Sequence, residues 1–130
     1  MRGWTISASW EQDGFEYTCT KTVFLPDSKS LAAAYCHRIQ QDIPAVQDQL
    51  KKLIRKHTCI QVNIDTLDDN FSVIGSWRYL FGDNCRYLWW QHGQLSTESM
   101  FERKEGLKRL QEHIAEIQWQ AEDFCWNIAV

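Results

Sequence analysis

The sequence lacks most features that would assign it quickly to a functional class. In 130 residues it has only six Gly and two Pro, and no run approaches the ~20 apolar residues that span a bilayer. It has no glycine-rich phosphate loop and no G-x-S-x-G motif, so it gives no support to a nucleotide-binding loop or a serine hydrolase. Because no apolar block of a signal peptide follows the first residues, we expect a cytoplasmic protein without membrane contact.

Cysteine motifs are also missing. The five cysteines are odd in number and evenly spread, namely Cys19, Cys36, Cys59, Cys85 and Cys125. This spread fits neither a disulfide framework nor a paired zinc motif, so we expect reduced, packed thiols. The pairs Cys36-His37 and His57-Thr58-Cys59 do not place two ligands on one helical face. The sequence therefore predicts no metal, no cofactor and no catalytic set.

The length and composition fit one domain over residues 1–130. A chain of this size buries roughly two-thirds of its unfolded surface. The hydrophobic fraction of 44% is ordinary, but seven Trp, six Phe and four Tyr make up 13% of the chain. The net charge of -3 argues against a surface that binds phosphate throughout. The high aromatic content is the compositional feature to explain.

The residues up to about His57 predict a hairpin and a helix. Residues 4–10 alternate between apolar and polar, and Asp13-Gly14 is a strong hairpin turn signal that pairs Trp10 with Tyr17. Pro26-Asp27-Ser28 then caps a helix that ends near His57. Because its apolar stripe continues past Pro44, this segment is either one kinked helix or two helices.

The rest of the chain predicts three strands and a second helix. A one-sided strand begins at Ile60, and residues 71–81 pair with 85–91 so that Tyr79 faces Tyr87. Ser99 to Glu102 has the pattern of a capping box before a helix that runs to about Asn127. The predicted apolar stripe of this helix is Leu107, Leu110, Ile114, Ile117, Ala121, Phe124 and Ile128. The order ββαβββα predicts a two-layer α+β fold, in which an antiparallel sheet of about five strands carries helices on one face.

Two tryptophans one heptad apart, Trp119 and Trp126, fall opposite this stripe. Either another layer of this chain, such as the first helix, covers them, or they are partly exposed anchors of the kind enriched in protein interfaces. Nearby acidic residues would attract a basic partner, namely Glu112, Glu116, Glu122 and Asp123. The heptad spacing also permits a homodimer through the C-terminal helix. As a second partner surface, we predict the sheet face with Arg78, Arg86 and Trp90.

Nucleic acid is the alternative partner. The first helix ends in the cations Lys51, Lys52, Arg55 and Lys56. With the arginines and Trp90 of the sheet face, these cations could bind phosphates and stack bases. A basic helix end is more often a solvated terminus, and the acidic C-terminal half would repel phosphate. Direct nucleic-acid binding is therefore the less favoured hypothesis.

We expect a small non-enzymatic protein that binds and blocks a larger protein or nucleoprotein complex. Immunity proteins that block a cognate toxin, and phage or plasmid anti-defence inhibitors such as anti-CRISPR proteins, are similar in size and type only. The hypothesis depends on three observations: no catalytic motif, an excess of aromatic area, and an acidic C-terminal helix.

Overall fold

The computed structural model describes residues 2–91, 94–95 and 99–129 and shows an α+β fold. The elements in chain order are β1 (Gly3–Gln12), β2 (Phe15–Phe24), α1 (Lys29–Lys56), β3 (Ile60–Leu67), β4 (Val73–Phe81), β5 (Cys85–Gln91), β6 (Gln94–Leu95), β7 (Ser99–Phe101) and α2 (Arg103–Ala129). The antiparallel sheet has the order β2-β1-β3-β4-β5-β6, and β7 also pairs with β5. The predicted succession of long elements is confirmed, while β6 and β7 are two short strands that the sequence did not indicate.

The first hairpin has the predicted register. Trp10 pairs with Tyr17, and positive φ angles at Asp13 (55°) and Gly14 (81°) form the turn. Apolar side chains of β1 face the core, whereas its hydroxyl groups face the other side, where Ser9 and Thr18 lie 3.3 Å apart. Alternation and a fixed turn together set which face of the sheet is buried.

The buried face continues across the sheet. Ile6 of β1 lies beside Ile64 of β3, which in turn lies beside Trp77 of β4. Both helices pack on this face, α1 towards β2 and α2 towards β4 and β5. In the described part of the chain no helix covers the opposite face, so the two-layer arrangement is as predicted.

Helix α1 is one continuous helix that contains Pro44, so the alternative of two helices is wrong. Its buried positions are Ala32, Ile39, Ile43, Val46, Leu50 and Ile54. The apolar side chain of Leu31, near the start of this helix, is 42% exposed. Ala32, the next residue, takes its place against the core.

The capping-box prediction is wrong. Ser99 to Phe101 form strand β7 against β5, and α2 begins at Arg103. Pairing with an open strand edge outweighs the local capping signal, and the Glu102 carbonyl accepts the first helical bond from the Gly106 N–H at 2.9 Å. The stripe itself packs as predicted: Leu110, Ile114, Ile117 and Ala121 are buried, Leu107 and Phe124 pack against them, and the side chain of Ile128 lies outside the described residues.

The start of α2 is joined to the end of α1 by one side chain. The Arg103 guanidinium donates to the carbonyl oxygens of Thr58 at 2.7 Å, His57 at 2.6 Å and Ile54. These carbonyls have no partner within α1 and carry the negative end of its dipole, so a cation is favourable there.

None of the described helices is long and apolar enough to cross a membrane.

A disulfide joins the helices near their other ends. Cys36 of α1 bonds to Cys125 of α2, with 5.8 Å between the Cα atoms. The expectation that all five cysteines are reduced is therefore wrong for this pair, because folding brings together residues 89 positions apart. Disulfides are typical of oxidising compartments, and the cytoplasmic location stays a prediction. With Arg103 at one end and the bridge near the other, α1 and α2 run antiparallel.

Reduction should destabilise the fold. Opening a bridge between residues 89 apart restores loop entropy to the unfolded chain, so dithiothreitol should lower the free energy of unfolding by about 4 kcal/mol. Urea denaturation with and without dithiothreitol measures this difference. The Cys36→Ala/Cys125→Ala variant should not respond to the reductant, whereas Cys59→Ala, at an exposed free thiol, should respond like the wild type. Five titratable thiols in the unreduced, denatured protein would contradict the bridge.

Candidate functional site

The two tryptophans of α2 are exposed. Trp119 is 62% and Trp126 is 71% accessible, so the alternative in which the first helix covers them is wrong. Trp126 and Glu122 line a recess of about 400 Å³ between α1 and α2, and Cys36 and Cys125 lie in its wall. Trp126 thus stands beside an apolar recess as well as on an open face.

The four acidic residues predicted to bind a partner do not form one group. All four are exposed on α2. Glu122 and Asp123 lie between the two tryptophans in sequence, whereas Glu112 and Glu116 line a separate cleft against the sheet. The helix therefore presents two acidic surfaces rather than one.

The predicted residues of the sheet face do lie together. The register places Arg86 opposite Leu80 and Trp90 opposite Ser76, and these side chains point away from the helices with Arg78. Both arginines are exposed, and Trp90 is partly buried. This face remains an open surface in the described part of the chain.

The basic end of α1 lies beside the start of α2. The antiparallel helices create a groove of about 540 Å³ whose cationic lining residues are Lys51, Arg55, Arg103 and Lys104. Lys52 and Lys56 are exposed at the same end of α1. Pairing of the helices thus extends a basic segment of one helix into a basic surface shared by two.

A cleft between α2 and the sheet was not predicted. It encloses about 590 Å³, and its walls include Trp77, Tyr79 and Tyr87 from the sheet and His113 from α2. Gly75 leaves room for one wall of the cleft, since a Cβ atom there would lie 2.9 Å from Cη2 of the Trp77 indole. The missing side chain lets the indole lie over the strand.

A tyrosine and a histidine meet at this cleft. The Tyr79 hydroxyl and the His113 Nδ1 are 2.8 Å apart, and the imidazole also meets the Trp77 indole edge-on, with 5.1 Å between ring centroids. No hydrogen bond to the other ring nitrogen of His113 is formed within the described residues, although that nitrogen is not sealed from solvent. The imidazole is therefore held through one nitrogen and can offer the other to a ligand.

Burial fixes the protonation of this pair. It lowers the pKa of His113 to about 4, against an upward influence of the Glu116 carboxylate. Burial also raises the pKa of Tyr79 well above its usual range, with a further contribution from Tyr87. At neutral pH the imidazole is uncharged and the phenol protonated, so the Tyr79 hydroxyl can donate its proton to Nδ1.

The sequence held one signal for this pair. Tyr79 falls on the buried face of its strand, and a buried tyrosine hydroxyl usually finds a hydrogen-bond partner. His113 lies three residues after the buried Leu110, on the flank of the stripe. Nothing in the spacing, however, shows which side of α2 faces β4.

In the ranges that the structure describes, no three His, Cys, Asp or Glu side chains cluster closely enough to hold a metal ion. The chain matches no protein-family model, and no curated protein or solved structure is significantly similar to it. The site must therefore be interpreted from its own geometry.

Acid should destabilise the protein through His113. The unfolded chain takes up this proton below its ordinary pKa of about 6.5, but the folded chain does so only near 4. The free energy of unfolding should therefore not depend on this residue above pH 6.5. Between pH 6.5 and 4 it should fall by roughly 3 kcal/mol because of His113. Urea unfolding at pH 7 and pH 4 should show a smaller loss in His113→Asn, whose amide can still accept from Tyr79. Equal losses in both proteins would show that His113 takes up its proton as readily in the folded chain as in the unfolded chain.

Proposed function

We propose that this chain is a small binding protein without catalytic activity that covers a basic surface on a larger protein or nucleoprotein complex. The observation that carries the proposal is the pair of exposed indoles, Trp119 and Trp126, on one face of α2. Trp is rarely left in water on a monomer and is enriched among the residues that dominate interface energies.

The size of the surface sets a requirement. Two indoles at these exposures offer roughly 250 Å² for contact. One side of a standard interface covers about 800 Å². The tryptophans can therefore act as anchors, but neighbouring polar residues of α2 and α1 must complete the contact.

Charge selects the chemistry of the partner. From Leu110 to Ala129 the helix contains four carboxylates and no Lys or Arg. Glu122 and Asp123 place two of these charges beside the indoles. The carboxylates would attract a basic protein surface over a distance and so raise the association rate. The two indoles would then contribute most of the binding free energy once the surfaces are in contact.

The inhibitor hypothesis follows from this mode of binding. A rigid helix face that covers a basic patch competes with whatever the patch normally binds, and for nucleic-acid-handling proteins that ligand is a polyanion. An immunity protein or an anti-defence inhibitor that acts by occlusion would bind in this way, so the proposal includes either. Because the heptad stripe of α2 is buried in the core, a homodimer through α2 would have to use the exposed face of the helix, where it would bury the same indoles and compete with the partner.

Trp119→Ala/Trp126→Ala should remove binding while leaving the fold intact. Loss of two anchors should weaken the complex by about 2 kcal/mol or more, roughly 30-fold in Kd. The measurement is quantitative capture from a nuclease-treated lysate of the host cells, followed by titration of the captured protein. Glu122→Lys/Asp123→Lys should also abolish capture, because the two introduced cations would repel a basic partner surface.

The matched control is Phe15→Ala, which removes another exposed ring, 66% accessible, at the tip of the first hairpin. It should capture the same protein as the wild type. If the tryptophan variant captures as well as the wild type, the α2 face is not the binding surface. Unfolding of that variant would instead show that the indoles are structural.

The basic groove favours nucleic-acid binding as the second candidate function. Lys51 and Arg55 of α1 and Lys104 of α2 line one groove, and no acidic side chain is among its described lining residues. Cations from two helices can track a phosphate backbone better than a single helix terminus.

A salt titration tests the second candidate. With a labelled single-stranded oligonucleotide, Lys51→Gln/Arg55→Gln should reduce the slope of log K against log salt by about 1.4, because each phosphate contact on a single strand contributes ~0.7. Lys29→Gln/Arg38→Gln, at exposed cations nearer the start of α1, should leave the slope unchanged. A flat slope for the wild type would remove this candidate.

A further inference from the structure

The cleft between α2 and the sheet has an aromatic lining. Tyr79 and Tyr87 lie side by side on β4 and β5 with 5.0 Å between ring centroids. The Trp77 indole lies on the same face of β4, two residues before Tyr79, and also lines the cleft. Trp77 and Tyr87 are only partly buried, so part of each ring is accessible. Aromatic faces carry negative electrostatic potential and attract cations.

The charged groups of the cleft add to this potential. Glu112 and Glu116 stand one turn apart on α2 and line the same cleft. No ion pair to either carboxylate is formed within the described ranges; Glu116 accepts only a neutral amide bond from Gln120, at 3.2 Å. Both therefore retain their negative charge toward the cleft.

The one cation of the lining is already engaged. The Arg109 guanidinium pairs with Glu105 at 3.5 Å and lies 4.3 Å from the centre of the Phe101 ring. His113 contributes no charge at neutral pH because burial keeps its pKa near 4. The Arg109 charge still reaches Tyr79 and Tyr87, where it opposes the rise in the pKa of both phenols. Two lining carboxylates without an ion pair outnumber this one cation, so the balance in the cleft is negative.

We propose that this cleft binds an organic cation, with the quaternary or alkylated ammonium head against Trp77 and Tyr87 and its charge facing Glu112 and Glu116. Aromatic walls with nearby carboxylates are the combination that recognises quaternary ammonium groups. The cleft volume of about 590 Å³ lies within the range of small-molecule sites. This site is separate from the Trp119 and Trp126 face, and it does not depend on the proposed function.

The experiment compares choline with its neutral isostere, dimethylbutanol, in which carbon replaces the quaternary nitrogen. Isothermal titration and amide chemical shifts measure binding to the full chain at pH 7. Choline should bind at least about tenfold more tightly, because shape and apolar area are equal and only the charge differs. Shifts should concentrate on β4, β5 and the Glu112 to Gln120 turns of α2.

The matched variants separate the site from bulk charge. Glu112→Gln/Glu116→Gln should weaken choline binding about tenfold or more, while leaving the far-ultraviolet circular dichroism unchanged. Asp48→Asn/Glu102→Gln makes the same change in net charge at exposed positions outside the cleft and should bind choline like the wild type. Tyr87→Leu keeps an apolar side chain but removes a ring face, and it should weaken choline more than dimethylbutanol.

Four results would overturn the proposal. Equal affinity for choline and dimethylbutanol would show a merely apolar cleft, and binding of acetate or methyl glucoside in preference to choline would assign another ligand class. Equal weakening by the two carboxylate variants would show a non-specific charge effect, and no binding of choline would remove the site. Each result is independent of whether the tryptophan face captures a protein.

Discussion

The contact between Arg103 and the end of α1 is the constraint on which the helix layer depends. One guanidinium satisfies three carbonyl oxygens left free where α1 stops, and it does so from the first residue of α2. Because that residue is fixed, the rotation and the height of α2 over the sheet are fixed as well. The Cys36–Cys125 bridge sets the same two helices near their other end. A rigid pair of helices results, tied at both ends by a polar and a covalent link.

The fixed rotation of α2 distributes its side chains among three environments. Leu110 and Ile114 enter the core, His113 meets Tyr79 at the edge of the core, and Trp119 remains in solvent. Rotation of α2 about its axis by one residue position would move the His113 imidazole away from the Tyr79 phenol and bring a carboxylate towards buried rings. Burial of that carboxylate would cost desolvation free energy, so the rotation is unfavourable. The stability of the packed stripe and the composition of the cleft therefore arise from the same orientation. The aromatic residues likewise divide between buried rings on the sheet, such as Tyr79, and exposed rings, which include Phe15 on the first hairpin and Trp119 on α2.

Sequence patterns could predict those parts of the fold in which a local signal agrees with the burial pattern. The register of the first hairpin follows from Asp13-Gly14 and the alternation of β1, and the exposed side of α2 follows from its heptads. The Tyr79 and His113 pair could not be predicted, because 34 residues separate them and only the packing of α2 on β4 joins them. The disulfide was missed for the same reason. Strand β7 shows the opposite error, in which a local capping signal yielded to a long-range strand pairing.

The position of β2 at the end of the sheet has a consequence for assembly. Within the described residues β2 pairs with β1 alone, so its outer backbone edge is unpaired along ten residues. Lys21 pairs with Asp42 of α1 at 3.2 Å, which holds this strand against the helix. Charged side chains on such an edge discourage unwanted pairing between molecules. These charges therefore oppose extension of the sheet by a further strand at the end remote from the cleft.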